Sequence, residues 1–79
     1  MSELNRLRWR CRRGTLELDL LLIRYLENVY LAAEAKEKQV FLQLLELEDT
    51  DLLRYLMGEG LSSDVDLAEL IAKIRTLPV

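Results

Sequence analysis

The sequence predicts an all-α fold, a compact five-helix bundle with a central apolar second helix. Three observations carry this: Leu recurs at three- and four-residue spacings, one Pro and three Gly are the only strong breakers in 79 residues, and 51% of the chain is apolar. Such spacing is the signature of helical faces, and that apolar share is enough for one modest core. The length corresponds to a single domain over residues 1–79, with no repeat, low-complexity tract or linker to divide it.

The elements follow in order. A first helix from about Leu4 to Arg12 places Leu4, Leu7 and Cys11 on one stripe, and Gly14 supplies a permissive backbone where it ends. A second helix begins almost at once, from Thr15 to about Tyr30, and its apolar positions cover most of the circumference. They leave a narrow polar stripe at Glu17, Arg24 and Asn28, so this helix belongs in the middle, with the others packed on it. A third helix, about Ala33 to Leu47, starts with charges and then carries Val40, Phe41, Leu44 and Leu45 at core spacing. Glu48-Asp49-Thr50-Asp51 opens a short fourth helix through Leu56, which Gly58 or Gly60 stops. Ser62-Ser63-Asp64 caps the fifth, with Asp66 in a capping-box-like place after Ser63, Leu67, Leu70, Ile71 and Ile74 on the apolar face, and Pro78 at the end.

Charge is segregated. Residues 1–13 hold five Arg against one Glu, a net of +4, while residues 14–79 hold six basic against thirteen acidic residues, a net of −7. Such asymmetry in a short chain points to a binding surface. The chain has no His, and the lone Cys11 can form neither an internal disulfide nor a Cys-based zinc site, so it suits a reducing compartment. Arg6, Arg8 and Arg10 interrupt any signal-like apolar run, and Glu17, Asp19, Arg24 and Glu27 break the apolar segment from Leu16 to Leu31 well short of a membrane span. A soluble, cytoplasmic protein is expected, with no metal and no membrane insertion. Glu17 and Asp19, two apart on one helix, point about 200° from each other and make no acid/base pair. The acids at Glu46, Glu48, Asp49 and Asp51 lack the alternating ligands and central Gly of a calcium loop.

The candidate site is Trp9-Arg10-Cys11-Arg12-Arg13-Gly14-Thr15-Leu16-Glu17-Leu18-Asp19. Local helix physics accounts for parts of it: Gly14 suits a junction with positive φ, Arg12 and Arg13 face the negative end of the first helix, and Glu17 falls near the positive end of the second. That use needs one or two cations, not Arg6, Arg8, Arg10, Arg12 and Arg13 together. Trp9 lies about 140° from Leu4 on the helical wheel, away from the apolar stripe. Either it packs locally, or it forms with the arginines a binding hot spot. Cys11, on the apolar stripe, reads as a small buried hydrophobe.

Arg13-Gly14-Thr15-Leu16-Glu17 is an R-G-x-x-E motif, and with Trp9-x-Cys11-Arg12, Leu18-Asp19, Phe41-x-x-Leu44-Leu45-Glu46 and the block from Asp49 to Gly60 it closely resembles the SdhE family of succinate dehydrogenase assembly factors, the flavinators. Thr50 and Tyr55 stand where members of that family often carry Pro and Trp. The resemblance implies a non-enzymatic five-helix assembly factor that binds the flavoprotein subunit of succinate dehydrogenase, and often of fumarate reductase. It also implies that such a factor promotes covalent attachment of FAD to a histidine of that subunit. It implies no cofactor of the helper's own and docking of the surface around Arg13, Gly14 and Glu17. Arg6, Arg8, Trp9, Arg12 and Asp19 complete the expected partner-binding set, with Arg13 meeting acceptors on the partner, Glu17 a cation or amide, and Gly14 allowing close backbone approach. The free chain is expected to be a monomer. Rival readings are an antitoxin-like protein-binding module and a nucleic-acid binder using the first helix, the latter opposed by the net charge of −3.

Overall fold

A computed structural model describes residues 3–14, 16–60 and 62–77. Five helices in chain order, α1 (Glu3–Cys11), α2 (Leu16–Asn28), α3 (Ala35–Leu45), α4 (Asp49–Leu56) and α5 (Val65–Arg75), form an all-α bundle, with a single 3₁₀ turn at Tyr30–Ala32. Thr15 and Pro78, expected to open the second helix and to mark the end of the fifth, lie outside the described residues.

Each helix buries the face its apolar spacing defines. In α1, Leu7 and Cys11 are buried, four residues apart, and Leu4 packs against the same core. In α2, Leu18, Leu22, Tyr25 and Leu26 are fully buried. This helix touches α1, α4 and α5, and its Tyr25 ring lies against Phe41 of α3 with centroids 4.7 Å apart and planes tilted by 37°. Its central position is therefore as the sequence predicts. Aromatic pairs in this tilted arrangement add about 0.5–1.5 kcal/mol to the stabilisation from burial alone. Tyr30, on the 3₁₀ turn, also packs against Phe41, with ring centroids 5.5 Å apart.

The ends differ from expectation in instructive ways. Helix α2 stops at Asn28 instead of running to Tyr30, because the 3₁₀ turn redirects the chain and brings Tyr30 into the core. Gly58 ends α4 with φ +80: its N–H donates to the Tyr55 carbonyl, and the Glu59 N–H reaches the Arg54 carbonyl at 2.9 Å. This is the paired hydrogen bonding of a Schellman motif, and a Cβ on Gly58 would stand 2.6 Å from the Arg75 guanidinium. The N-cap of α5 is Asp64, whose carboxylate accepts from the N–H groups of Asp66 and Leu67. Asp66 is therefore two residues past the cap, and the expected capping box with Ser63 does not form.

One polar network crosses the apolar layers. The Tyr25 hydroxyl donates to Glu37 on α3 at 2.6 Å, and the Lys73 ammonium on α5 meets the same carboxylate at 3.0 Å. The tyrosine hydrogen bond, reinforced by Lys73, holds the Glu37 carboxyl below its ordinary value of 4.5 despite partial burial. A carboxylate depressed in this way stabilises the fold above that value, and the contribution fades as pH falls through the lowered pKa. In urea unfolding followed by circular dichroism, wild type should exceed Glu37→Gln by a constant margin near neutral pH, and the margin should shrink as pH drops below 4.5. Burial pushes the Cys11 thiol up to about 12, with Arg13 and Arg10 only partly opposing the shift. Thiol reagents at pH 8 should therefore leave the native protein unmodified and label Cys11 once urea unfolds it.

Candidate functional site

The corner between α1 and α2 is built around Arg13. Helix α3 ends at Leu45, and the last carbonyls of a helix lack intrahelical donors and carry its partial negative charge. Arg13 answers both needs: Nη1 donates to the Leu45 carbonyl at 2.8 Å, Nη2 to the Leu47 carbonyl, and Nε to Oδ1 of Asp49, the first residue of α4, at 2.7 Å. Its side chain is only 16% exposed. The main chain is held as well, since the Arg13 N–H donates to Oδ1 of Asp19 in the first turn of α2 at 2.6 Å. Arg13 thus faces the negative end of the third helix in addition to that of the first, the end the sequence predicts, where Nη1 also donates to the Arg10 carbonyl at 3.5 Å.

Two residues expected to meet a partner directly have bonds within the fold. The three guanidinium nitrogens of Arg13 are already engaged within the fold, and Asp19 is bound to its backbone. Two other arginines are also spoken for: Arg8 pairs with Glu27 at 3.0 Å, tying α1 to α2, and Arg10 pairs with Glu46 at 2.9 Å. These pairs are exposed, so each contributes at most about 1 kcal/mol.

What remains facing outward is a different set. Arg6 and Arg12 are exposed and make no ion pair with another described residue. Glu17 is exposed in the first turn of α2 and likewise has no partner among the described residues. Trp9 is 68% exposed, which settles its side: it points to solvent and bounds a shallow depression with Asn5, Arg8 and Arg12. Gly14 has φ +87, and no described atom beyond its chain neighbours lies within 4 Å of where a Cβ would stand. Its glycine is therefore required by the backbone, and open space surrounds it.

Sequence reasoning did not single out Leu16 and Leu20 as exposed, yet they are 73% and 53% accessible and lie one turn apart on the outer face of α2 beside Glu17. A signal was present. Helix α2 is apolar on nearly every side, more than the short helices of a 79-residue chain can cover. The supports of Arg13, the carbonyls of Leu45 and Leu47 and the Asp49 carboxylate, were also not found, and no local pattern announces a contact over more than thirty residues. Among the described residues no cluster of His, Cys, Asp or Glu could hold a metal ion, and no helix is long and apolar enough to cross a membrane.

Residues 5–78 match the protein family described as "Flavinator of succinate dehydrogenase". The chain belongs to this family. It is 49% identical over 77 residues to the FAD assembly factor SdhE of Xylella fastidiosa (strain 9a5c), covering 98% of this chain and 79% of the relative. With the FAD assembly factor SdhE of Methylococcus capsulatus it shares 47% over 77 residues, covering 98% and 93%. The Shewanella oneidensis protein of the same name is 39% identical over 75 residues, covering 95% and 92%. The flavinator family thus spans both the arginine corner and the helices that support it.

Truncating Arg13 should be felt as a fold defect. Arg13→Ala removes charge-assisted bonds to partly buried carbonyls, at a cost of about 2 kcal/mol, and should lower the melting temperature by on the order of 10 °C. Gly14→Ala should cost about 1 kcal/mol from backbone strain alone, since nothing obstructs the methyl group. Thermal melts followed by circular dichroism measure both.

Proposed function

We propose that this protein is an assembly factor that binds the flavoprotein subunit of succinate dehydrogenase and promotes covalent attachment of FAD to it. The observation that carries the reading is the outward face of the corner in a chain of the flavinator family: Trp9, Arg12, Leu16, Glu17 and Leu20 project from the α1–α2 hairpin with no role in holding the fold. A mixture of aromatic, aliphatic and charged groups at the end of a rigid hairpin is the composition of a protein-docking surface. It is a poor match for nucleic acid. Three of the five arginines at this end are paired with carboxylates, which leaves Arg6 and Arg12 to meet phosphate on a molecule of net charge −3.

The chemistry in this reading belongs to the partner. FAD is the group transferred, the reacting histidine is on the flavoprotein, and the assembly factor contributes no cofactor and no titrating side chain. Its contribution is orientation. Docking on the flavoprotein holds the reacting groups in place, and groups so held gain several kcal/mol over loosely disposed ones, each 1.4 kcal/mol being about tenfold in rate. Arg12 and Arg6 reach acceptors on the partner, Glu17 takes a cation or amide donor, Trp9, Leu16 and Leu20 supply the dry area, and the open space at Gly14 admits close approach of the partner's backbone. The same surface would serve a related fumarate reductase flavoprotein, with the free factor a cytoplasmic monomer.

The test is co-expression of the flavoprotein subunit with wild type, Glu17→Ala or Leu20→Glu, read as covalent flavin fluorescence in denaturing gels. Both side chains are exposed, so melting should move by no more than about 2 °C while fluorescence falls several-fold. Full flavinylation with both variants would refute the assignment of this face.

A further inference from the structure

We propose that Arg13, anchored by Asp49 and the α3–α4 turn, is a positioning residue for the docking corner and does not itself touch the partner. The inference rests on the docking reading above and concerns how that surface is kept in shape.

Arg13 is fixed at both ends. Its guanidinium is tied to the Leu45 and Leu47 carbonyls and to Asp49 at 2.7 Å, and its backbone N–H is tied to Asp19 at 2.6 Å. The next residue, Gly14, turns the chain with φ +87 into the helix that carries Leu16, Glu17 and Leu20. The link between the two halves of the hairpin is therefore held on one side to α2 and on the other to the junction of α3 and α4. None of these anchors lies on the outward face itself. Among the described residues no other side-chain hydrogen bond ties the first turn of α2 to the rest of the fold, and a hairpin free to pivot at a glycine would present Trp9 and Glu17 in many relative positions. Ordering them beforehand lowers the entropy lost on association, which is how a group buried behind a surface can set affinity without contact.

Arginine suits this task and lysine does not. Two carbonyls and a carboxylate accept from three different nitrogens of one planar group, a geometry that an ammonium on a flexible stem cannot reproduce. Asp49, on α4, is the member that can be altered with least damage, because its side chain is 52% exposed and the carbonyl bonds remain when it is removed.

The experiment is a double-mutant cycle on affinity for the purified succinate dehydrogenase flavoprotein subunit, using Asp49→Ala, Glu17→Ala and their combination at a temperature where circular dichroism shows all three folded. Asp49→Ala is expected to weaken binding about three- to tenfold in the wild-type background, and by clearly less once Glu17 is gone, because the loss acts through the placement of Glu17. Arg13→Lys, with its charge kept, should weaken binding as Asp49→Ala does. Equal fold-losses for Asp49→Ala in both backgrounds, or full affinity in Arg13→Lys, would show a direct contact and overturn the proposal. Lowered melting with unchanged affinity in Asp49→Ala would show a purely structural role and overturn it as well. An unaffected Glu17→Ala overturns the docking reading itself, whereas a weakened Glu17→Ala beside an unaffected Asp49→Ala overturns only the positioning role.

Discussion

One guanidinium joins two of the turns in this bundle. Arg13 follows the end of α1, donates its backbone N–H to Asp19 of α2, and reaches across to the last carbonyl of α3, the Leu47 carbonyl just beyond it and the first carboxylate of α4. Burial of leucine supplies far more total energy, at about 2 kcal/mol for each fully buried side chain, but it is non-directional and would tolerate many orientations of the α1–α2 hairpin. The arginine bonds are directional. They choose one orientation out of the many that would bury Leu7, Cys11 and Leu18 about equally well.

The same constraint explains why the charge of the chain is segregated. Three of the N-terminal arginines have acidic counterparts later in the chain, Glu27, Glu46 and Asp49, so the basic segment is held on a mostly acidic body. Its outer side keeps Arg6, Arg12 and Trp9 in water. A folded domain gains nothing in stability from leaving Trp9, Leu16 and Leu20 exposed, and apolar side chains left in water on the two helices that flank one turn fit the proposed docking surface. At the opposite end of the molecule the Tyr25, Glu37 and Lys73 network performs the matching task for α2, α3 and α5, linking them through one shared carboxylate.

Much of the fold was legible because it is local. The three- and four-residue spacing of leucine marked all five helices, and the breaks near Gly14, Gly58 and Asp64 were visible as glycines and capping residues. Where the expectation failed, the deciding interaction was tertiary. Helix α2 was too long in the sequence reading because Tyr30 satisfies helical spacing equally well, and only its packing on Phe41 selects the 3₁₀ turn. Arg13 was assigned to the surface because its motif is local while its partners are not. The Leu45 carbonyl is 32 residues away and carries no residue-specific signature, since any side chain at that position offers the same backbone oxygen. Glu17, by contrast, was placed correctly in the first turn of α2, because its position follows from the helix start alone.

The central claim is that the corner is rigid behind and open in front. Amide and tryptophan-indole chemical shifts of the labelled protein, followed while the unlabelled flavoprotein subunit is added, test it most directly. The account predicts that perturbation concentrates on the Trp9 indole and on amides from Arg12 to Leu20, and leaves the groove between α3 and α5, around Lys36 and Glu69, unmoved. Perturbation centred on that groove, with the Trp9 indole unchanged, would contradict it.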